Sequence, residues 1–242
     1  MKKYIGILIC FMIGLSALAI DLAVEDILAK VSTNQSLIKD MQADITTVIK
    51  SEMKGKMESE QKGKIWIKGE DKSKIEMIKP VAQITITSGG KMMAVDPATG
   101  QKMVQDLTKL REKTGQPDLG QGSMDKKKML DYFNLKLRTV SGIFGVKEYV
   151  IEGRPKKANK FLGRVDFTID SNRYLPVKIE IYSPEGKLVS ATKIEYIKIK
   201  NIWVISKSAS EIKLPAGNLK AEMRYDNIKL NEGIADSVFK IE

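Results

Sequence analysis

The sequence predicts an α+β fold: one large antiparallel sheet of about ten strands, curled, with helices over its concave apolar face. Three observations lead there. Beyond about position 60, apolar and polar residues alternate with a period of two over short runs. Tight turns rich in Gly, Asn, Asp and Pro separate those runs, which is the pattern of antiparallel connections. Helical periodicity interrupts the strands at only two points, which favours a sheet with inserted helices over repeated β–α units. A sheet of that many strands tends to curl.

The chain opens with Lys2 and Lys3, then an apolar run from Ile5 to Leu18, then Ala17-Leu18-Ala19. That order reads as a secretory signal peptide over 1–19, cleaved after Ala19. The run is short of the roughly 20 residues a spanning helix needs. Cys10 lies inside it and follows Ile9, not a small residue, so the segment is not a lipoprotein signal and Cys10 leaves with it. Residues 20–242 are then expected as a single domain without Cys or His.

Asp21 is placed to cap a first helix over about 22–36, with Leu22, Ile27, Leu28 and Val31 on one face. Strand alternation follows. Ile65 and Ile67 oppose Lys64, Trp66 and Lys68, and a turn stands at Gly69-Glu70-Asp71-Lys72. Ile75 and Met77 alternate with Lys74 and Glu76, and Ile84 and Ile86 with Gln83, Thr85 and Thr87. A hairpin turn at Ser88-Gly89-Gly90 leads to Met93 and Val95, and Asp96 to Gly100 forms another turn. Glu112 to Ser123 is glycine-rich and polar, and reads as a mobile loop. Ser123 or Asp125 can cap a second helix over about 124–134 that buries Met129, Leu130 and Phe133. Further strands are expected at 146–152, 164–169, 177–182, 187–196, 202–210 and 219–226, with a last one near Val238. No repeat of fixed period is present.

Composition narrows the chemistry. The 242 residues contain no His and one Cys, so no imidazole base, no Ser-His-Asp or Cys-His arrangement and no His- or Cys-based zinc site can form. Carboxylate pairs such as Glu25/Asp26 and Glu58/Glu60 read as solvated surface. The glycine-rich stretches lack the Gly-Lys-Ser/Thr ending of a phosphate loop. The chain is expected not to be an enzyme and to need no cofactor or metal. Its 41 Lys and Arg against 30 Asp and Glu give +11. The excess is compatible with solubility, with attraction to anionic lipid, and least with nucleic acid, because the lysines are dispersed and aromatics are sparse. Most of the twelve methionines fall between Met41 and Met129. Flexible, polarisable Met suits an adaptable apolar cavity as well as an ordinary core.

The order of motifs resembles a known family. Ile27-Leu28-Ala29-Lys30-Val31 precedes Ile38-Lys39-Asp40-Met41-Gln42-Ala43-Asp44. Gly63 to Lys68, Lys74-Ile75-Glu76-Met77 through Pro80, and Gly90-Lys91-Met92-Met93 with Asp96-Pro97 come next. Tyr174-Leu175-Pro176-Val177-Lys178, Gly186-Lys187-Leu188, Ile202-Trp203-Val204-Ile205 and Asn231 through Phe239 close the chain. Across nearly the whole of 20–242 this resembles the LolA-like outer-membrane lipoprotein-sorting proteins.

The resemblance implies an unclosed antiparallel barrel with a helical lid, in a periplasmic carrier that shields the acyl chains of lipoproteins without covalent chemistry. It implies an acylated lipoprotein or lipid as partner, an inner-membrane exporter and an outer-membrane acceptor, with no nucleic acid and a monomeric state. The expected acyl-binding residues are Ile65, Ile67, Ile75, Met77, Ile84, Ile86, Met93 and Val95 from strands, with Leu28, Met129 and Phe133 from the lid. Their inward orientation rests on alternation, which a one-residue slip of register inverts. Two departures stand out: Met92-Met93 occupies a strand where an aromatic is usual, and no arginine lies near Gly69-Glu70-Asp71 to serve as the family's lid-closing residue. A lipid- or lipoprotein-sensing envelope regulator on the same fold is the alternative reading. A carboxylate hydrolase is the remaining rival, with no residue pattern in its favour.

Overall fold

The computed structural model describes residues 24–53, 57–114, 124–141 and 148–241. The expected signal peptide with Cys10, the Asp21 cap, Leu22, and residues 115–123 of the expected loop lie outside them.

Thirteen strands form one antiparallel sheet. They are β1 (Asp40–Ser51), β2 (Met57–Lys68), β3 (Lys72–Lys79), β4 (Gln83–Ser88), β5 (Lys91–Val95), β6 (Lys102–Asp106), β7 (Phe133–Ser141), β8 (Glu148–Pro155), β9 (Arg164–Asp170), β10 (Leu175–Tyr182), β11 (Leu188–Ile199), β12 (Ile202–Leu214) and β13 (Gly217–Leu230). The spatial order is β6-β5-β4-β3-β2-β1-β13-β12-β11-β10-β9-β8-β7. Every pairing joins consecutive strands except β1 with β13, and β6 and β7 are edges that do not meet. The helices are α1 (24–36), α2 (Leu107–Thr114) and α3 (Lys126–Tyr132), and a 3-10 turn spans Asp236–Phe239.

The architecture matches the expected class, with more strands than expected. β1, β6 and β7 were not anticipated as strands. The second helix stops before Phe133, because Phe133 is extended (φ −118°, ψ 145°) and opens β7, where it pairs with Pro155. Leu135 and Leu137 continue that strand with a period of two. Asp125 does cap α3, accepting from the Lys128 N–H at 2.8 Å. The loop expected from Glu112 begins as the last turn of α2. The last strand expected near Val238 is instead the 3-10 turn.

One ion pair shows that the sheet curls. A flat sheet would hold β2 and β7 about 38 Å apart, eight strand spacings. Yet α3, which runs directly into β7 and is about 10 Å long, places Lys128 Nζ 3.0 Å from Glu70 Oε2 in the β2–β3 turn. Only a curled sheet lets so short a helix touch both places, so the helices lie inside the bend.

Two sets of apolar contacts cover the sheet. On the inner face, Val24, Ile27, Leu28 and Val31 of α1, with Met124 and Met129, pack on Phe133, Ile151, Val165, Phe167 and Ile169 of β7–β9. On the outer face, Phe239 of the 3-10 turn packs on Ile86 and Met93, with Ile234, Val238 and Ile241 around it. A polar clasp joins the beginning and end of the sheet. Asn231 Oδ1 accepts from the Lys39 and Asp40 N–H groups, and the Asp40 carboxylate accepts from the Glu232 and Gly233 N–H groups.

Candidate functional site

The strand registers define the inner face row by row. One row runs Leu135, Gly153, Val165, Ile181, Ser190, Ile212, Leu219, Ser51, Met57. The next runs Leu137, Ile151, Phe167, Ile179, Thr192, Ser210, Ala221, Ile49, Ser59. Then come Ile194, Ser208, Met223, Thr47 and Gln61, followed by Tyr225, Ile45, Gly63, Met77 and Gln83. The last two are Ala43, Ile65, Ile75, Thr85, Ala94, Met103 and Met41, Ile67, Ser73, Thr87, Met92, Gln105. Not one of these residues is Asp, Glu, Lys or Arg. The phenol of Tyr225 is pushed up by burial and stays neutral. The strand charges stand on the other face, because successive side chains alternate sides.

The same registers sort the expected acyl-binding residues. Ile65, Ile67, Ile75 and Met77 share the inner face, where they pack with Ala43, Ile45, Tyr225 and Ile228. Leu28, Met129 and Phe133 come together beneath the lid helices, each almost wholly buried. Ile84, Ile86, Met93 and Val95 do not belong with them. They lie on the outer face with Trp66, under Phe239, while Thr85, Thr87, Met92 and Ala94 point inward. β5 carries apolar side chains on both faces and β4 carries its apolar residues on the outer one, so alternation could not choose the inward side in β5 and pointed to the outer side in β4.

The inner face has two parts. Under α1 and α3 it is filled by the protein's own side chains. Across β11 and most of β12 and β13 it is half-buried, and among the described residues no helix residue joins the packed clusters there, whereas on β1 the inward Ala43, Ile45, Thr47 and Ser51 are buried. On β11 and β12, Thr192 faces Ser210 and their hydroxyls hydrogen-bond at 2.8 Å, while Ser190 (opposite Ile212) and Ser208 (opposite Ile194) lie one row away on either side. These hydroxyls escaped the sequence reading, although Ser190-Ala191-Thr192 and Ser208-Ala209-Ser210 repeat the same period of two.

Four side-chain contacts tie the lid helices to the sheet and to each other. Lys128 pairs with Glu70 on the far rim, and Lys126 pairs with Glu25 of α1 at 3.2 Å. Lys30 of α1 donates to the Tyr174 hydroxyl at 3.0 Å, and Tyr174 stacks on Tyr149 with centroids 6.2 Å apart. That hydrogen bond raises the Lys30 pKa and lowers that of Tyr174. Asn34 donates to the Arg173 carbonyl at 2.6 Å, which anchors the end of α1 on the β9–β10 turn. A groove of about 410 Å³ lies between α1 and α3, lined by Ala29, Ser32, Asp125, Lys126, Lys127, Leu130 and Asp131.

The outer face is charged. Asp166 of β9 lies 4% exposed beside Arg138 (2.9 Å) and Arg164 (3.1 Å). Burial raises its pKa despite both arginines. Among the described residues no group of three or more acidic, Cys or His side chains is placed to hold a metal ion.

Comparisons with known proteins give the fold. A family model described only as "Uncharacterized protein" matches residues 97–242. No curated relative matches. Among solved structures, a DUF1329 family protein from Desulfovibrio piger is similar at TM-score 0.69 and 17% identity, over 90% of this chain and 96% of that one. A LolA superfamily protein from Nitrosomonas europaea aligns at TM-score 0.63 and 17% identity, over 89% of this chain and 96% of that one. An outer membrane lipoprotein-sorting protein domain from Vibrio parahaemolyticus aligns at TM-score 0.63 and 16% identity, over 88% and 95%. The fold is LolA-like.

Proposed function

The chain belongs to that family of uncharacterized proteins, and from its LolA-like fold we propose a periplasmic, non-enzymatic lipoprotein carrier that shelters acyl chains on the inner face. One observation carries the reading: a curled sheet thirteen strands wide whose paired inner rows hold no charged side chain. Each acyl methylene removed from water contributes roughly 0.8 kcal/mol. A charge facing that chain would have to be desolvated, at a cost of several kcal/mol, so neutrality across the face is what acyl binding requires. The signal-like segment at 1–19 and the names of the fold's neighbours support an envelope location and lipoprotein cargo. Its partners would be an acylated protein, an inner-membrane exporter and an outer-membrane acceptor.

The test compares the two faces. Met77→Glu puts a carboxylate on the inner face and Ile84→Glu puts one on the outer. Uptake of a fluorescent neutral acylglycerol is expected to fall at least about tenfold in the first, a loss of roughly 1.4 kcal/mol, and to hold in the second. Mass spectrometry of the protein purified from its own envelope should find co-purifying acylated species. Absence of both uptake and bound lipid in the unsubstituted protein would remove the carrier reading.

A further inference from the structure

We propose that the inner face selects acyl chains carried on neutral esters or amides over the same chains ending in a carboxylate or a phosphate. This selectivity rests on the acyl-binding reading above and names the chemical class of its ligand.

Two features of the face point to it. The first is the hydroxyl strip across its middle. Ser190, Thr192, Ser208 and Ser210 form a neutral polar patch on β11 and β12, flanked by Ile179 and Ile181 of β10 and by Leu219, Ala221 and Met223 of β13. In the Thr192–Ser210 pair one hydroxyl donates to the other. The pair therefore keeps one O–H free and has lone pairs to spare. That suits an ester or amide group, which needs a donor for its carbonyl oxygen and, in an amide, an acceptor for its N–H.

The second feature is the location of the cations. Lys193, Lys207, Lys220 and Arg224 sit one residue out of phase with the strip, so they project from the opposite side of β11, β12 and β13. Lys207 and Arg224 are moreover paired with Glu222 there. An anionic head group over the paired rows would lose its hydration and find neutral hydroxyls in exchange. Buried charges are tolerated when paired, and here no partner exists on the paired rows.

Displacement of a bound fluorescent apolar probe from the purified protein tests this. The competitors are a monoacylglycerol, an N-acyl amide, a free fatty acid and a lysophosphatidic acid, all of one chain length and kept below micelle formation. At neutral pH the two neutral ligands are expected to compete at concentrations at least about tenfold lower than the anions. Acidification that protonates the fatty acid should close its gap while the lysophosphatidic acid stays weak. Ser210→Lys supplies a cation and is expected to strengthen fatty-acid binding about tenfold or more. If that variant melts early, Thr192→Val serves instead and is expected to weaken the neutral ligands about fivefold relative to the apolar probe, the share of one hydrogen bond. Equal competition by all four ligands overturns the selectivity and leaves acyl binding standing. Competition by none overturns acyl binding itself.

Discussion

Gly63 shows how tightly single residues set the inner face. It lies between Ile45 and Met77 in the pairing of β1, β2 and β3. A Cβ there would fall inside contact distance of the Glu76 carbonyl oxygen and crowd the Met77 Cα. Gly63→Val should therefore destabilise the protein by about 2–3 kcal/mol, read as a lowered denaturant midpoint. Asp170 is a second such point. Its carboxylate accepts from the Asn172 and Arg173 N–H groups and from the Arg173 guanidinium. Burial works against the charged form, but these hydrogen bonds outweigh it and the pKa is lowered. A carboxylate with a depressed folded pKa contributes stability that is fully present above its unfolded value and lost as pH falls through the folded one. Acid melts of Asp170→Asn should thus fall less steeply below about pH 4 than those of the unsubstituted protein, from a plateau about 2 kcal/mol lower. How far such residues were legible depended on what lies behind them. Ile65 and Met77 could be paired by alternation, since their neighbours Lys64, Lys74 and Glu76 put charge on the other side of β2 and β3. Ile84 and Met93 could not, since the residue that buries them, Phe239, stands about 150 positions further along the chain.

Among the elements, α3 carries the clearest functional consequence. The sequence lacks an arginine near the β2–β3 turn, and the structure shows the opposite polarity: the acid, Glu70, is on the rim, and the base, Lys128, is on the lid. Both side chains are partly exposed, so the pair contributes at most about 1 kcal/mol, enough to bias a lid without locking it. Lys128→Glu should speed probe uptake and increase hydrogen exchange across Lys126–Tyr132. Adding Glu70→Lys should restore both, and failure of the double variant to do so would show that this contact does not hold the lid. The C-terminal 3-10 turn is tied by Asp236 to Lys68 (2.8 Å) and Lys72 (3.1 Å). Hydrogen bonds from those lysines lower the Asp236 pKa, so the tie persists under mild acid and is released only below the ordinary carboxylate range. Cap chemistry made the start of α3 legible at Asp125. Its end was hidden, because Met129, Leu130 and Phe133 fit a helical face as well as Phe133, Leu135 and Leu137 fit a strand, and pairing with β8 decides for the strand.

At the scale of the whole molecule, the net charge of +11 is less telling than its distribution. Composition could not reveal that the strand charges share one side of the sheet, because that follows from register across thirteen strands. The curl was anticipated from strand number and is fixed by α3 reaching the far rim. The sheet consists of two meanders, β1 to β6 and β7 to β13, joined only where β1 meets β13. Yet α1, which precedes the first meander, covers the second, and the 3-10 turn, which follows the second, covers the first. Each half thus depends on the opposite end of the chain to bury its apolar surface. Strand pairing within a meander is local and fast, whereas closing β1 on β13 and seating both caps must await most of the chain. The protein should therefore unfold in one cooperative transition, and neither meander expressed alone should hold a melting transition of its own. During synthesis, the first meander must wait with its outer apolar patch uncovered until the last residues arrive.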